Sequence, residues 1–465
     1  MEDCGHGRLC PRWGMGSRLM RLVRPLLRLA PLLVAALLLV PPLGSPLARE
    51  VGLIRDAEIE HTLREITAPI LEAAGLGRDS VQIYIVQDDQ LNAFVAGGMN
   101  LFINTGLIMR TQHVGQLAGV IAHEVGHIAG GHLSRIPMAA QRATAEMVLA
   151  ALLGVAAGVA TGDAGVGAAI ITGGQNYAQG NFMRFSRGQE QAADQAGVNY
   201  LDRAGISSRG LAEFFRVLEK ENVLAVSSMS PYLQSHPLTR DRINFVDNHV
   251  TNSPIAEEPP GWAEAHARMV VKLQAFLNDP RRVLQQYAGG QSVSARYARA
   301  IALYRLPDLQ QALAEIDGLL AEFPDDPYFH ELRGQMLFEN GRVEAAIEPY
   351  RESVRLAPGE PLLEIGLAQA LIESGGGERN REAIDHLETA MQEEPTNAFG
   401  WRMLGIAQGR EGREGLSNLS LAEYALLVGK TEDARLYARR AEGRIDPSDP
   451  AWLRLQDVLR VIEES

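Results

Sequence analysis

The sequence predicts a mainly α protein in which an α+β domain with a small sheet is followed by an all-α solenoid. Apolar residues recur at helical spacing along most of the chain. Stretches that alternate as strands do are confined to residues 81–107. From about residue 290, Pro324, Pro358 and Pro395 recur at periods of 34 and 37, which are typical of stacked helix pairs.

Residues 1–48 are predicted to be a secretory signal peptide. Six arginines precede the apolar run Leu29–Val40, and small residues follow it, which is the order that export signals show. The run is too short to cross a bilayer comfortably, although retention of the segment as an anchor remains the alternative. Both cysteines, Cys4 and Cys10, precede this run, so the exported chain is expected to use no disulfides.

The charge balance argues against a nucleic-acid partner. The net charge is -13, and the first 48 residues carry six arginines against Glu2 and Asp3, so the remainder stands at -17. A chain this acidic repels a phosphate backbone. It is also long enough to bury proper cores without cross-links.

The motif that carries chemistry is an H-E-x-x-H pattern at His123, Glu124 and His127. On a helix, residues four apart share a face, so the two imidazoles can bind one metal ion with Glu124 beside it. A bound Zn²⁺ lowers the pKa of its water to about 7, and an adjacent carboxylate can take the proton as the water attacks a peptide carbonyl. We therefore predict one Zn²⁺ per chain, bound by His123 and His127, with Glu124 as general base.

A catalytic zinc needs a third protein ligand, and the sequence offers two places to find it. His132 lies five residues beyond His127, on a different face unless the intervening glycines break the helix. The second place is the pair Glu190 and Asp194, which are four residues apart. One of these carboxylates can bind the metal while the other orients a ligand imidazole through its free N–H. The spacing leaves open which of the two carboxylates is the ligand.

H-E-x-x-H followed by E-x-x-x-D resembles the gluzincin zinc peptidases typified by the CAAX prenyl endopeptidases and the bacterial heat-shock membrane protease. The resemblance implies Glu190 as the ligand and Asp194 as the orienting group. In that family an N-A-F-x-x-G-G segment supplies the sheet edge beside the zinc, and residues 92–98 match it. An exposed edge can hold an extended substrate by main-chain hydrogen bonds. The resemblance thus implies a substrate-binding set, which comprises Asn92, Phe94, Gly97, Gly98, Phe102 and Ile103.

The same family carries an S/T-H-P segment followed by Arg-Ile near its catalytic site. Here His236 and Arg242 stand at the matching positions, and the resemblance implies that both act at the zinc. His236 can fill the position that a catalytic zinc reserves for water and hold the enzyme latent. The alternative is that His236 and Arg242 donate to the oxyanion of the tetrahedral intermediate.

Residues 147–171 are rich in Ala, Val, Leu and Gly and are interrupted at residues 161–163. The apolar pieces are short enough to favour a buried or interfacial helix over a spanning one. Because the segment lies between the two ligand motifs, we predict a lid or flexible hairpin near the cleft. Membrane contact is the alternative.

The predicted boundaries place the peptidase domain at 49–250, a linker and connecting helix at 251–285, and tetratricopeptide repeats at 286–465. Within the first period, Gly334, Ala346 and Tyr350 fall at tetratricopeptide spacings, and Trp401 begins a W-x₂-L-G match. The last repeat departs from the pattern, with an insert predicted around Gly409–Leu419. Stacked repeats leave a concave surface suited to protein segments.

This order of parts resembles the periplasmic β-barrel assembly-enhancing proteases of Gram-negative bacteria. The resemblance implies a periplasmic zinc endopeptidase that degrades misfolded or stalled outer-membrane proteins and assists their assembly. It also implies that the repeats engage the barrel-assembly machinery or its clients, with peripheral membrane contact at most. The alternative is a periplasmic chaperone or scaffold with a latent or inactive peptidase domain, against which stand the intact His123, Glu124, His127 and Glu190.

Overall fold

The computed structural model describes residues 52–161, 163–224, 231–255 and 257–464, without the side chains of 221–224. The described residues belong to one compact unit. The predicted signal peptide lies outside them.

The first part of the fold packs a short strand and a long helix ahead of the sheet. Strand β1 is Leu53–Ile54 and helix α1 is Ala57–Ala73. The Asp56 carboxylate caps α1 by accepting the Ile59 N–H at 2.9 Å. Ile59, Leu63, Ile66 and Ile70 of α1 recur at helical spacing and are buried in the main core.

The sheet has four strands in the order β1-β2-β4-β3, where β2 is Gln82–Val86, β3 is Ala93–Ala96 and β4 is Asn100–Asn104. Strand β4 pairs with β2 in parallel and with β3 antiparallel. The β3–β4 hairpin turns at Gly97 and Gly98, which have φ of 59° and 97°, a region that favours glycine. These strands lie within residues 81–107, where the sequence predicts strands, and β3 forms one edge of the sheet.

The strand assignment corrects one predicted feature of the substrate edge. Phe102 and Ile103 lie on β4, which is bonded on both sides, so the prediction that they belong to the exposed edge is wrong. The Asn104 N–H donates to the Asn92 carbonyl at 3.0 Å. Because antiparallel pairs alternate, Phe94 then points its N–H toward β4, whereas the main-chain groups of Val95 point outward.

The metal-binding motif lies on a fully packed helix. After the short helix α2 (Thr105–Arg110), α3 runs over Val114–Ala129, and its residues from Val114 to His127 are buried. A Cβ at Gly126 would lie 2.7 Å from the carbonyl oxygen of Ala193. Only glycine permits this approach, which brings α3 against the helix that carries Glu190 and Asp194.

A long helical hairpin interrupts the domain between the two motifs. Gly131, at φ of 59°, separates α3 from α4 (His132–Thr161), and α5 follows over Ala164–Ala204. The predicted hairpin is therefore present, and α5 continues without a break from the hairpin tip to the second motif. Among the described residues, α4 is the helix long and apolar enough to cross a membrane by length and composition.

The remaining helices of the first part close the core over α3 and α5. They are α6 (Arg209–Leu224), α7 (Pro231–Ser235), α8 (Arg240–Asn252) and α9 (Trp262–Leu277). Helix α9 coincides with the predicted connecting helix. His236 lies in the segment between α7 and α8. Thr239 caps α8 and so fixes the turn that follows Pro237.

The second part begins with a short helix of about two turns and continues as a solenoid of helix pairs. Its helices are α10 (Pro280–Gln286), α11 (Val293–Arg305), α12 (Leu309–Glu322), α13 (Pro327–Glu339), α14 (Val343–Leu356), α15 (Pro361–Ser374), α16 (Gly377–Glu393), α17 (Ala398–Arg410), α18 (Glu414–Leu427), α19 (Thr431–Glu442) and α20 (Ala451–Glu464). The pairs start at residues 293, 327, 361, 398 and 431, close to the tetratricopeptide period. A Cβ at Gly334 would lie 2.9 Å from the Tyr350 ring, so the small and large positions of the repeat interlock.

The insert predicted around Gly409–Leu419 is wrong, although the last pair does depart from the pattern, with the longer loop 443–450 between its helices. Helix α17 ends at Arg410 and α18 begins at Glu414, so the turn between them is residues 411–413, with Gly412 at φ of 73°. The final pair simply begins at Thr431 without a marker proline, and Pro447 falls between α19 and α20. The missing proline, and not an insert, lengthened the apparent period.

A buried charge cluster joins the two parts. Lys272 of α9 lies 2.8 Å from Asp56 and 3.2 Å from Glu58 at the start of α1, and 3.7 Å from Glu331 of the repeats. The Glu58 carboxylate also accepts the Tyr297 hydroxyl at 2.8 Å. Lys272 is 2% exposed, so these carboxylates neutralise a charge that would otherwise be costly to bury.

Candidate metal centre

The two motif histidines converge from α3. His123 and His127 lie one turn apart on the face toward α5, with their Nε2 atoms 3.1 Å apart. Both side chains are buried. Two imidazole nitrogens directed at a common point are the start of a metal site.

Glu190 of α5 completes the expected triad. Its Oε2 lies 3.3 Å from His123 Nε2, and its Oε1 lies 3.3 Å from His127 Nε2. Burial alone would raise the pKa of Glu190, but hydrogen bonds from the surrounding imidazoles hold it well below its usual range. Glu190 therefore contributes a full negative charge at neutral pH, as an anionic ligand must.

His236 reaches the same point from the segment after α7. Its Nδ1 lies 3.3 Å from His123 Nε2 and 3.2 Å from Glu190 Oε2. The candidate ligand atoms of His123, His127, Glu190 and His236 all lie within 4.8 Å of one another. Bonds of 2.0–2.2 Å to a tetrahedral zinc place neighbouring ligand atoms about 3.3 Å apart. The donor types and spacings therefore fit such an ion.

Asp194 and Arg242 hold the first histidine in place. Asp194 accepts the His123 Nδ1–H at 2.8 Å, which leaves the Nε2 lone pair directed at the centre. Arg242 donates to both Asp194 oxygens, from Nε at 2.6 Å and from Nη2 at 2.8 Å. Burial would raise the pKa of Asp194, but the hydrogen bonds from Arg242 hold it below its usual value.

The contacts of Arg242 leave little for an oxyanion. Besides Asp194, its Nη1 lies 3.0 Å from the Pro237 carbonyl and 3.0 Å from Glu190 Oε2. Each of its three guanidinium nitrogens thus has an acceptor, and the side chain is buried. This set of contacts fits a residue that positions Asp194 and Glu190, and does not support the predicted oxyanion role.

Glu124 lies beside the centre, and its carboxylate accepts no hydrogen bond from the described residues. The residue is 1% exposed. Its Oε1 lies 3.5 Å from His236 Nε2. Burial raises the pKa of Glu124 to about 7. A carboxylate with this pKa and two free oxygens can accept a proton at neutral pH.

His132 contacts the triad from outside. Its Nδ1 lies 3.0 Å from the Nδ1 of His127, on the side of that ring opposite to the centre. The prediction that His132 is an alternative ligand therefore does not fit, since Glu190 takes that place in the cluster. Burial lowers the pKa of His132 to about 4, so it stays neutral and can accept the His127 Nδ1–H. The sequence missed this orienting contact, because it depends on the turn at Gly131.

Tyr232 is a second residue near the centre that the sequence did not predict. Its ring lies 4.7 Å from that of His236, it is 0% exposed, and its hydroxyl has no hydrogen-bond partner among the described residues. It stands on α7, one turn before His236. No motif in the sequence marks it.

The predicted substrate residues divide into two groups. Asn92, Gly97 and Gly98 flank the edge strand β3, which packs against α3. Phe94 and Phe102 stack at 5.0 Å on the half-exposed face of the sheet. The edge, and not the aromatic face, therefore lies next to the metal-binding helix.

Comparisons with known proteins agree with this geometry. Residues 55–250 match the model of peptidase family M48, and residues 284–361 match a tetratricopeptide-repeat model. The beta-barrel assembly-enhancing protease of Yersinia pestis is 26% identical over 390 residues, which cover 82% of this chain and 79% of that protein. Its counterpart in Escherichia coli K12 is 23% identical over 82% of this chain and 78% of that protein.

A shorter relative shares the first part alone. The metalloprotease YcaL of Escherichia coli K12 is 26% identical over 37% of this chain and 62% of that protein. The family match spans both motifs and the histidine of the segment after α7, which are the elements that form the buried cluster. The chain is therefore a metallopeptidase that carries a peptidase family M48 domain followed by tetratricopeptide repeats.

Proposed function

We propose that this chain is a periplasmic zinc endopeptidase for unfolded or misassembled outer-membrane proteins, held latent by His236. The observation that carries the proposal is the four-membered cluster of His123, His127, Glu190 and His236, with Glu124 free beside it. A catalytic zinc binds three protein groups and keeps one position open. A fourth protein ligand in that position would exclude water and substrate and keep the enzyme inactive.

The donor set supports zinc as the metal. Two imidazoles and a carboxylate suit Zn²⁺ better than Mg²⁺ or Ca²⁺, which prefer oxygen ligands. When bound, zinc supplies Lewis-acid polarisation of the scissile carbonyl and of the attacking water. His123, His127 and Glu190 would hold it, with Asp194 and His132 fixing the two imidazoles.

The chain's own residues supply the remaining steps. Glu124 accepts the proton of the attacking water and can deliver it to the leaving amine. The outward main-chain groups of β3 bind an extended client segment as an added strand. His236 withdraws first, since it occupies the space into which the client carbonyl must enter.

The client class is inferred from relatives and from the repeats. The relatives' name connects them with β-barrel assembly, and a solenoid of stacked helix pairs presents a surface suited to protein segments. We propose that the repeats engage the barrel-assembly machinery or its unfolded clients. This would give the peptidase access to substrates without strong sequence specificity at the cleft.

One experiment tests the function as a whole. The metal content of the purified chain should approach one zinc per molecule, and an unfolded outer-membrane protein should be cleaved while its folded form is not. A zinc-loaded chain that binds the unfolded client without cleaving it would instead support the chaperone or scaffold alternative. Absence of bound zinc after dialysis against zinc would overturn the proposal.

Replacing His236 with alanine should release the latch. If about 90% of molecules hold His236 at the centre, removing it raises the cleavage rate about tenfold, with folded proteins also being attacked. Peptide hydrolysis and client degradation measure this, and His330→Ala on the repeats is the matched control. A fall of roughly a hundredfold would assign an oxyanion role instead, and an unchanged rate would make His236 a turn residue.

Proline at Val95 should impair client cleavage. Its N–H points outward from the edge strand, so Val95→Pro leaves the β3–β4 ladder intact but removes a donor that an added strand needs. We expect KM for a long unfolded client to rise roughly five- to tenfold, as loss of one hydrogen bond predicts. Zinc content should not change.

The control for this variant is Val95→Ala, which trims the same side chain and keeps the donor. Equal KM values for the two variants would contradict edge-strand binding, because the difference between them is the N–H group.

A further inference from the structure

The α4–α5 hairpin exposes an unusual amount of apolar surface. Twelve of the 23 large apolar side chains that are exposed among the described residues lie on these two helices. Examples on the outer half of the hairpin are Leu149, Leu152, Leu153, Val155, Val159 and Ile170. Most of those on α4 lie on the side of the helix opposite the buried Ala150 and Gly154, and so away from α5.

The interface between the two helices is built from small residues. Ala150, Gly154, Gly167 and Ala178 are its buried members, and a Cβ at Gly154 would lie 2.6 Å from the Gly167 carbonyl oxygen. A helical hairpin in water normally turns its large apolar side chains inward. Here the backbones touch at Gly154 and Gly167, with the Ile171 side chain also against Gly154, while most of the large apolar side chains are exposed, which is how helices pack in lipid.

The distribution of charged residues along the hairpin also fits contact with lipid. Between Met147 and Met183 the single charged residue is Asp163, at the tip, whose carboxylate accepts the Gly165 N–H at 2.7 Å. At the base, where both helices join the rest of the fold, stand four arginines, namely Arg135, Arg142, Arg184 and Arg187. No carboxylate among the described residues lies within ion-pair distance of any of these guanidinium groups, although the chain as a whole is acidic.

A cleft at the base of the hairpin is lined by both basic and aromatic side chains. It measures about 410 Å³ and is lined by Arg135 and Arg142 together with Phe182 and Phe185. One acidic side chain, Glu146, also lines it and accepts a hydrogen bond from Asn181 at 3.2 Å. Two unpaired guanidinium groups beside aromatic rings are suited to a phosphate that carries an apolar tail.

The length of the hairpin indicates how deep it can reach. Helix α4 from Met147 to Thr161 is about 22 Å long, which exceeds one leaflet of about 15 Å but not the hydrocarbon core of about 30 Å. A tilted hairpin of this size enters one leaflet and does not span the bilayer.

We propose that the α4–α5 hairpin docks this protein on an anionic phospholipid bilayer. The hairpin lies strongly tilted, with the exposed apolar side chains of Met147–Tyr177 in one leaflet, and with Asp163 and the four basal arginines at the headgroups. Glu190 lies less than one turn beyond Arg187 on the same helix, so docking places the metal centre at the level of the headgroups. The proposal does not depend on peptidase activity.

Flotation of the chain purified after export, with phospholipid vesicles, tests the proposal. Leu152→Glu combined with Leu153→Glu should lower binding to vesicles containing phosphatidylglycerol at least about tenfold, since charges are costly in hydrocarbon. The matched control is Leu436→Glu with Leu453→Glu, two equally exposed leucines on the repeats, which should bind as the unmodified chain does. Arg135→Gln with Arg142→Gln should lower binding roughly 25-fold, and only to anionic vesicles.

A second measurement does not depend on disruptive variants. Val159→Trp places a reporter at a position that is 80% exposed, and brominated acyl chains should quench its fluorescence on docking. The same reporter at Leu436 should remain unquenched. Vesicle binding that is equal in the hairpin and control variants, or no quenching at residue 159, would overturn the proposal. Hairpin variants that change only the oligomeric mass, or only the binding of unfolded polypeptide, would assign the surface to a second copy or to a client and would equally overturn it.

Discussion

Glu124→Gln is expected to keep the metal while lowering peptide hydrolysis by roughly 10²–10⁴-fold, the range that general-base catalysis contributes. The amide preserves the shape of the side chain but cannot accept the proton of the attacking water. Glu124 is not one of the four clustered ligands, so metal binding should not change. Hydrolysis of an unfolded client and metal analysis of the same sample measure both effects.

The control for this variant is Glu258→Gln, which makes the same chemical change at a carboxylate bonded to His113 and remote from the cluster. It should retain full activity. Turnover of Glu124→Gln at the unmodified rate would remove Glu124 as the base and would leave it only the contact with His236 at 3.5 Å.

Glu190→Gln is expected to lower metal binding, in contrast to Glu124→Gln. Hydrolysis should then fall because the metal is lost. The change replaces the anionic member of the triad with a neutral amide. It also leaves Arg242 with one fewer carboxylate partner, since its Nη1 lies 3.0 Å from Glu190. Metal affinity should fall by more than the roughly 10–100-fold that loss of an orienting partner costs. Competition with a zinc chelator measures it.

His132→Ala is the matched comparison, because it distinguishes the loss of a metal ligand from the loss of an orienting contact. His132 contacts His127 from the side away from the centre, so its removal should cost only the orienting contribution. Full zinc occupancy in Glu190→Gln together with metal loss in His132→Ala would transfer the third-ligand role to His132.

The chemistry of the centre could be predicted because it depends on residues that are close together in the sequence. His123, Glu124 and His127 are four residues apart at most, and Glu190 and Asp194 repeat that spacing, so one helix turn fixes which side chains share a face. The period of the repeats is equally local, since each helix pair packs on its neighbour.

What could not be predicted depends on contacts between distant segments. The order β1-β2-β4-β3 places the later strand of the hairpin inside the sheet, and nothing in the Asn92–Leu107 stretch shows which of its strands has a second partner. The role of Arg242 likewise follows from Asp194, 48 residues earlier. Both outcomes are set by packing, which alternation and spacing do not encode.

The cluster around Lys272 has a consequence for how the two parts evolved and fold. The family matches end at residue 250 and resume at 284, which suggests two modules that could be separated at the linker. The buried amine of Lys272 nevertheless contacts carboxylates from both parts, Asp56 and Glu58 before the linker and Glu331 after it, so separating the parts takes one partner from a buried ion cluster. The border between the families is therefore not a border of cooperative unfolding, and a catalytic half cut free of its repeats would have lost part of its own stability.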